Sequence, residues 1–272
     1  MTYQQEYNQF IQLHKTYEVK NMQIILKEFR KIFKDIKFDN LTPENSRYVI
    51  ALNINPEGLK KALYRIYYTT GRKYGNIVAR QIRADNPIEQ KRFKPLPFFN
   101  TLFNNFIVDY FKAKAGEWIS LLTDSMVDEV QKVIVLSQSL NETVEQMRDR
   151  IHSTVNKPDF YKWQALRIAR TETTFAMNKA KELSGQASGI LMEKVWLGKN
   201  DGRERPSHIL MNEKKVEQNG MFELSSGVKL KFPGDRDGIG RAKDMAKELI
   251  NCRCSYGYEA KRDENGRLIF VD

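Results

Sequence analysis

The sequence predicts an α+β protein: a mainly α-helical N-terminal part followed by a small α+β domain with short antiparallel strands and hairpins. Three observations carry this prediction. Only Gly58, Gly71, Gly75 and Gly116 of the 15 glycines occur before residue 185, and the remainder follow it. Turns between short strands need backbone conformations that long helices avoid. Apolar residues in the first part recur at three- and four-residue steps, whereas near the C-terminus they recur at every second residue.

Met22, Ile25, Leu26, Phe29, Phe33 and Ile36 form one stripe of an amphipathic helix. Thr42-Pro43 and Asn55-Pro56 are each a cap followed by a first-turn proline, so each opens a further helix. After Pro95 and Pro97, Phe99, Phe103, Phe106 and Tyr110 make another stripe, which continues through Trp118, Leu122, Met126, Val130, Val133 and Ile134. These stripes are expected to be packed helical core and are assigned no site. Short and longer helices are expected over 141–151 and 160–183. Val195-Trp196-Leu197 is a strand candidate. Phe222, Leu224, Val228, Leu230 and Phe232 alternate around Ser225-Ser226-Gly227, as a hairpin requires. Cys252, Cys254, Tyr256 and Tyr258 are expected on one face of a last strand, and Asn265-Gly266 is expected to turn residues 268–271 back onto it.

With 272 residues and 41% hydrophobic side chains the chain can bury a core, and 29% charged residues of mixed sign argue against a wholly disordered chain. The N-terminus lacks a charged start and apolar run, and no stretch approaches the ~20 apolar residues of a membrane span, so a soluble protein is expected. The two cysteines, Cys252 and Cys254, are separated by one residue, which strains any disulfide between them and excludes a disulfide-stapled scaffold.

The net charge of +11 is concentrated. Lys60, Lys61, Arg65, Arg72, Lys73, Arg80, Arg83, Lys91, Arg92 and Lys94 face only Asp85 and Glu89 over residues 60–94. Tyr64, Tyr67, Tyr68 and Tyr74 are interleaved with them, a pattern suited to neutralising phosphates and stacking on bases, or to an acidic protein surface; a solvated helix face is the alternative. No groove-reading motif is present, so any nucleic-acid contact would be to backbone charge.

Four pieces concentrate reactive groups: 169–174 (Ala-Arg-Thr-Glu-Thr-Thr), Trp196 with Asp201-Gly-Arg203-Glu-Arg205-Pro-Ser-His208, 232–235 (Phe-Pro-Gly-Asp), and 251–254 (Asn-Cys-Arg-Cys). In order and spacing, Arg170, Glu172, Trp196, Asp201, Arg203, His208, Asn251, Cys252 and Cys254 resemble the phage Mu protein F-like head morphogenesis family, the minor head or minor capsid proteins of tailed phages. The resemblance covers roughly residues 137–258. It implies a helical arm over 1–136, the head morphogenesis domain over 137–260 and a C-terminal strand or tail over 261–272. It further implies a non-enzymatic virion protein, made in the host cytoplasm and placed at the portal vertex or capsid interior. The implied partners are the portal protein or other capsid proteins, with non-specific contact to genomic DNA during packaging or ejection.

The residues also admit readings of their own. Asp201, His208, Cys252 and Cys254 are four potential ligands for a structural zinc ion. Alternatively, Arg170 and Arg203 pair with Glu172 and Asp201 in a polar network, and the cysteines are small buried residues. A third reading is a metal-free nuclease or toxin-like phosphodiesterase, with His208 and Glu172 as acid and base and Arg170 and Arg205 stabilising the phosphorane. Gly-x-Ser-x-Gly and phosphate-loop signatures are absent from the sequence.

Overall fold

The computed structural model describes residues 2–35, 41–42, 44–54, 56–87, 96–113, 115–157, 159–199 and 201–271. The expected α+β class is observed. Helices α1 (Tyr3–Asp35), α2 (Ser46–Asn53), α3 (Pro56–Ile66), α4 (Arg72–Ala84), α5 (Leu96–Ala113), α6 (Ala115–Ser139), α7 (Val144–Val155) and α8 (Lys162–Ser188) precede the first strand. A π-helical turn over Tyr67–Gly71 joins α3 to α4. Helix α7 starts on a reciprocal pair in which Thr143 and Gln146 each accept the other's backbone N–H. Pro43, Asn55 and Ile36 lie outside the described residues, as do the side chains of Trp118 and Leu122.

The chain forms two compact units, neither a single stretch: residues 22–65 with 108–166, and residues 1–21 with 66–107 and 167–272. The first is helical and apolar inside. Ile25, Leu26, Phe29 and Phe33 are buried, as the stripe on α1 requires, and Tyr161 stacks on Phe33 at 4.3 Å.

The second unit holds the strands. β1 (Met192–Leu197) is the centre of a sheet ordered β2-β1-β5, with β2 (Lys215–Glu217) and β5 (Ser255–Ala260) antiparallel to it and Trp196 opposite Tyr256. Alternation along β1 separates two cores. Val195 and Leu197 join Tyr7, Phe10, Tyr74 and Val78 of α1 and α4, whereas Trp196 joins Phe222, Leu230, Met245, Cys252 and Cys254. The expected hairpin is present as β3 (Phe222–Glu223) and β4 (Lys229–Leu230), with Phe222 opposite Leu230. Short helices α9 (Pro206–Ile209) and α10 (Ala242–Leu249) complete the unit. Gly75 lets α4 approach α5, because a Cβ there would come within 2.0 Å of the Phe99 ring.

Three local expectations are corrected. Cys252 and Cys254 precede β5, because Asn251 takes a left-handed backbone (φ 61°) and starts an irregular passage into the strand. The C-terminal tail does turn at Gly266, but Phe270 pairs with Ile190, upstream of β1, and Leu268 with Arg262; Leu268 is thereby buried beside Ile190 and Met192. Tyr67 and Tyr74 are core residues, Tyr67 against Phe175, Glu172 and Arg236 and Tyr74 against Phe10, so neither is a stacking platform.

Candidate functional site

One face of α8 recognises the backbone that leads into β5. Arg170, Thr174 and Asn178 are four residues apart and therefore lie in one row along the helix. The Arg170 guanidinium donates to Asn251 Oδ1 (3.4 Å), and Thr171 Oγ1 accepts the Asn251 N–H (3.1 Å). Thr174 donates to the Cys252 carbonyl (2.5 Å), and Asn178 donates to the carbonyls of Cys254 (3.0 Å) and Pro233 (2.8 Å). At Gly234 the backbone is left-handed (φ +85°), which disfavours any side chain, and runs close to Thr174, where a Cβ would come within 3.1 Å of Cγ2. The Arg-Thr-x-x-Thr helix and the Asn-Cys-Arg-Cys segment are thus two halves of one hydrogen-bonded junction.

Arg170 does not pair with Glu172. It makes a bidentate ion pair with Glu18 of α1 (2.9 and 3.0 Å), because residues two apart point to different sides of a helix. Glu172 turns instead to the Arg236 guanidinium and the Tyr67 hydroxyl, and Arg236 also donates to Tyr67 (2.6 Å). All three are buried. His14, which has no neighbouring motif in the sequence, is completely buried beside the junction with Nε2 2.9 Å from the Thr174 hydroxyl. Burial chiefly, with Arg170 adding and Glu18 opposing, lowers its pKa to about 4, so this imidazole is neutral.

On the other side of the 251–254 segment, His208 meets both cysteines. Its Nδ1 lies 3.7 Å from Cys252 Sγ and 3.4 Å from Cys254 Sγ, and its Nε2 lies 3.0 Å from Glu248 Oε2. Ser207 donates to the same Glu248 oxygen (2.9 Å). Trp196 packs its ring edgewise on the imidazole, with centroids 5.2 Å apart. Burial opposes charge on His208, yet Cys252 and Glu248 outweigh it and raise the pKa to about 9. The hydrogen bond between the thiols, with His208 adding, holds Cys252 low, and the same bond pushes Cys254 up. Cys254 Sγ is also 3.1 Å from Glu204 Oε1.

Asp201 stands apart from this group. Its carboxylate caps its own turn at the Arg203 N–H (3.1 Å) and pairs with Lys199 (3.2 Å) and the exposed Arg203 (3.3 Å). Among the described residues the close group of metal-capable side chains is His208, Cys252 and Cys254. The four residues of the nuclease reading also have separate partners: Glu172 has Arg236 and Tyr67, His208 has Glu248 and the thiols, Arg170 has Glu18, and Arg205 donates to the Ile250 carbonyl. Of the basic set, Lys60, Lys61 and Arg65 belong to α3 in one unit and Arg72, Lys73, Arg80 and Arg83 to α4 in the other, while Lys91, Arg92 and Lys94 lie outside the described residues.

Fold and site together define a small α+β unit in which a polar helix face and a cysteine segment are knitted by side chain-to-backbone bonds. Residues 127–256, just under half of the chain, match the family model described as Phage Mu protein F like protein, and this segment is similar to that family. The match starts within α6 and ends inside β5. The similarity points to a protein of phage head morphogenesis. Neither a curated protein nor a solved structure gives a significant match. Among the described residues no helix is long and apolar enough to cross a membrane.

Proposed function

We propose that this chain is a minor head protein of a tailed phage, a building component bound at the portal or the capsid interior, whose basic helices contact packaged DNA or an acidic partner surface. The observation that carries the reading is the junction itself. Arg170, Thr171 and Thr174 of the family segment are committed to holding residues 251–252, and Glu172 and His208 are buried in ion pairs. Such an arrangement fixes a shape for docking and leaves these groups little freedom to act on a substrate. The polyanion contact is supported by α4, where Lys73 and Arg80 are exposed and, seven residues apart, share one side of the helix.

Co-expression with the portal protein of the same phage, followed by size-exclusion chromatography at modest salt, tests the reading. A shared peak that weakens as salt rises is expected, and separate elution at every salt concentration would count against it. Incubation of the purified protein with RNA and DNA addresses catalysis. Both should stay intact, whereas degradation that His208→Ala abolishes would replace the structural role with a nuclease.

A further inference from the structure

We propose that Cys252, Cys254 and His208 through Nδ1 form a site for a zinc ion, completed by Glu204 on a shift of its side chain, which ties the loop after β1 to the segment entering β5. This goes beyond the head-protein reading and does not depend on it.

The distances fit the ion. Zinc binds thiolate sulfur at about 2.3 Å and imidazole nitrogen at about 2.0–2.1 Å, so a tetrahedron sets nitrogen and sulfur about 3.6 Å apart. The observed separations of 3.4 and 3.7 Å bracket that value. The three donor atoms lie within 4.8 Å of one another and all three residues are buried. Two thiols and an imidazole are a soft donor set, which selects zinc over calcium or magnesium.

The surroundings are those of an oriented metal ligand. Glu248 beside Nε2 directs Nδ1 toward the sulfurs, and the Ser207 hydroxyl holds Glu248 in turn. The Cys254 backbone N–H points at Cys252 Sγ (3.4 Å), a donor that stabilises a thiolate. Glu204 is the carboxylate beside the sulfurs, its Oε1 3.1 Å from Cys254 Sγ, and although it stands outside the close group of three donors a turn of its flexible side chain would bring it in as the fourth. Asp201, the carboxylate expected from the sequence, is held by Lys199 and Arg203 instead. The strands here are short, β3 and β4 having two residues each, so a bond through an ion would add order that hydrogen-bond ladders this brief do not supply.

The test is metal content and cobalt substitution on the full-length chain, purified without a histidine tag or chelator. Wild type should carry about one zinc per chain, and cobalt should give a thiolate-to-metal charge-transfer absorption. Cys252→Ser and Cys254→Ser should each lower that absorption. Glu248→Gln should weaken zinc affinity about 10–100-fold with the cobalt spectrum retained. Glu204→Gln should alter the cobalt spectrum and Asp201→Asn should not; the reverse result would overturn the assignment of the fourth ligand. If the cysteine variants fail to fold, wild type alone still decides. Folded wild type that takes up neither zinc nor cobalt stoichiometrically would overturn the site.

Discussion

In the unit of residues 22–65 and 108–166, Phe29, Phe33, Val130, Ile134 and Ile151 fill the interior, and the buried polar side chains among the described residues are Ser46, Ser137 and Gln164. In the other unit Glu172, Lys181, Lys194, Arg236 and Glu248 are buried as well. Each has a designated partner: Lys181 reaches Glu6 (2.5 Å), and Lys194 donates to the carbonyls of Gly220 (2.8 Å) and Lys231 (2.7 Å). Apolar interiors tolerate swaps that conserve volume, whereas a buried polar network admits one register and penalises every other. The unit that carries most of the family match is therefore specified by geometry, and its helical neighbour by volume.

This contrast can be broken most severely at Glu172. Glu172→Ala strands the buried Arg236 guanidinium, and denaturant unfolding should show a loss of about 3–5 kcal/mol. A loss below 1 kcal/mol would mean that the network is not what holds this unit.

The contrast is sharpened by pH at His14. Its pKa is about 4 in the folded chain against 6.5 in the unfolded one, so the unfolded state binds more protons between those values. The stabilisation is complete above pH 6.5 and declines as pH falls toward 4, by about 3 kcal/mol in total. Thermal unfolding across that range should show this slope in wild type and a shallower one in His14→Gln. Equal slopes would place the acid sensitivity elsewhere.

The smallest effect is expected in the helical unit at Asp128, whose carboxylate meets Arg47 at 2.7 Å while both side chains are more than half exposed. Asp128→Asn should change unfolding stability by no more than about 0.5 kcal/mol, read from the same denaturant curves. A larger loss would show that electrostatics matter in this unit too.

What the sequence made legible was periodic. The α1 stripe and the 222–232 hairpin follow from spacings of 3.6 and 2, and together with the glycine distribution they suffice to assign the α+β class. Partner choice over long separations was not legible. Arg170 lies 152 residues from Glu18, and Glu172 lies 64 from Arg236, so neither pair leaves a local pattern. Asp201 and Glu204 sit in one charged turn, and only the fold decides which carboxylate faces Cys254. His14 had no signal at all, since a lone histidine on a helix gains its meaning from Thr174 across the junction. Tyr67 and Tyr74 are buried among lysines and arginines, and the π-helical turn between them breaks the α-helical period that would have marked both as core.

The most direct test of the account is quantitative mass spectrometry of DNA-filled heads purified from the phage that encodes this chain. The account predicts the intact chain in the particle at a small number of copies relative to the major capsid protein. Its absence from filled heads and from their assembly precursors would contradict it.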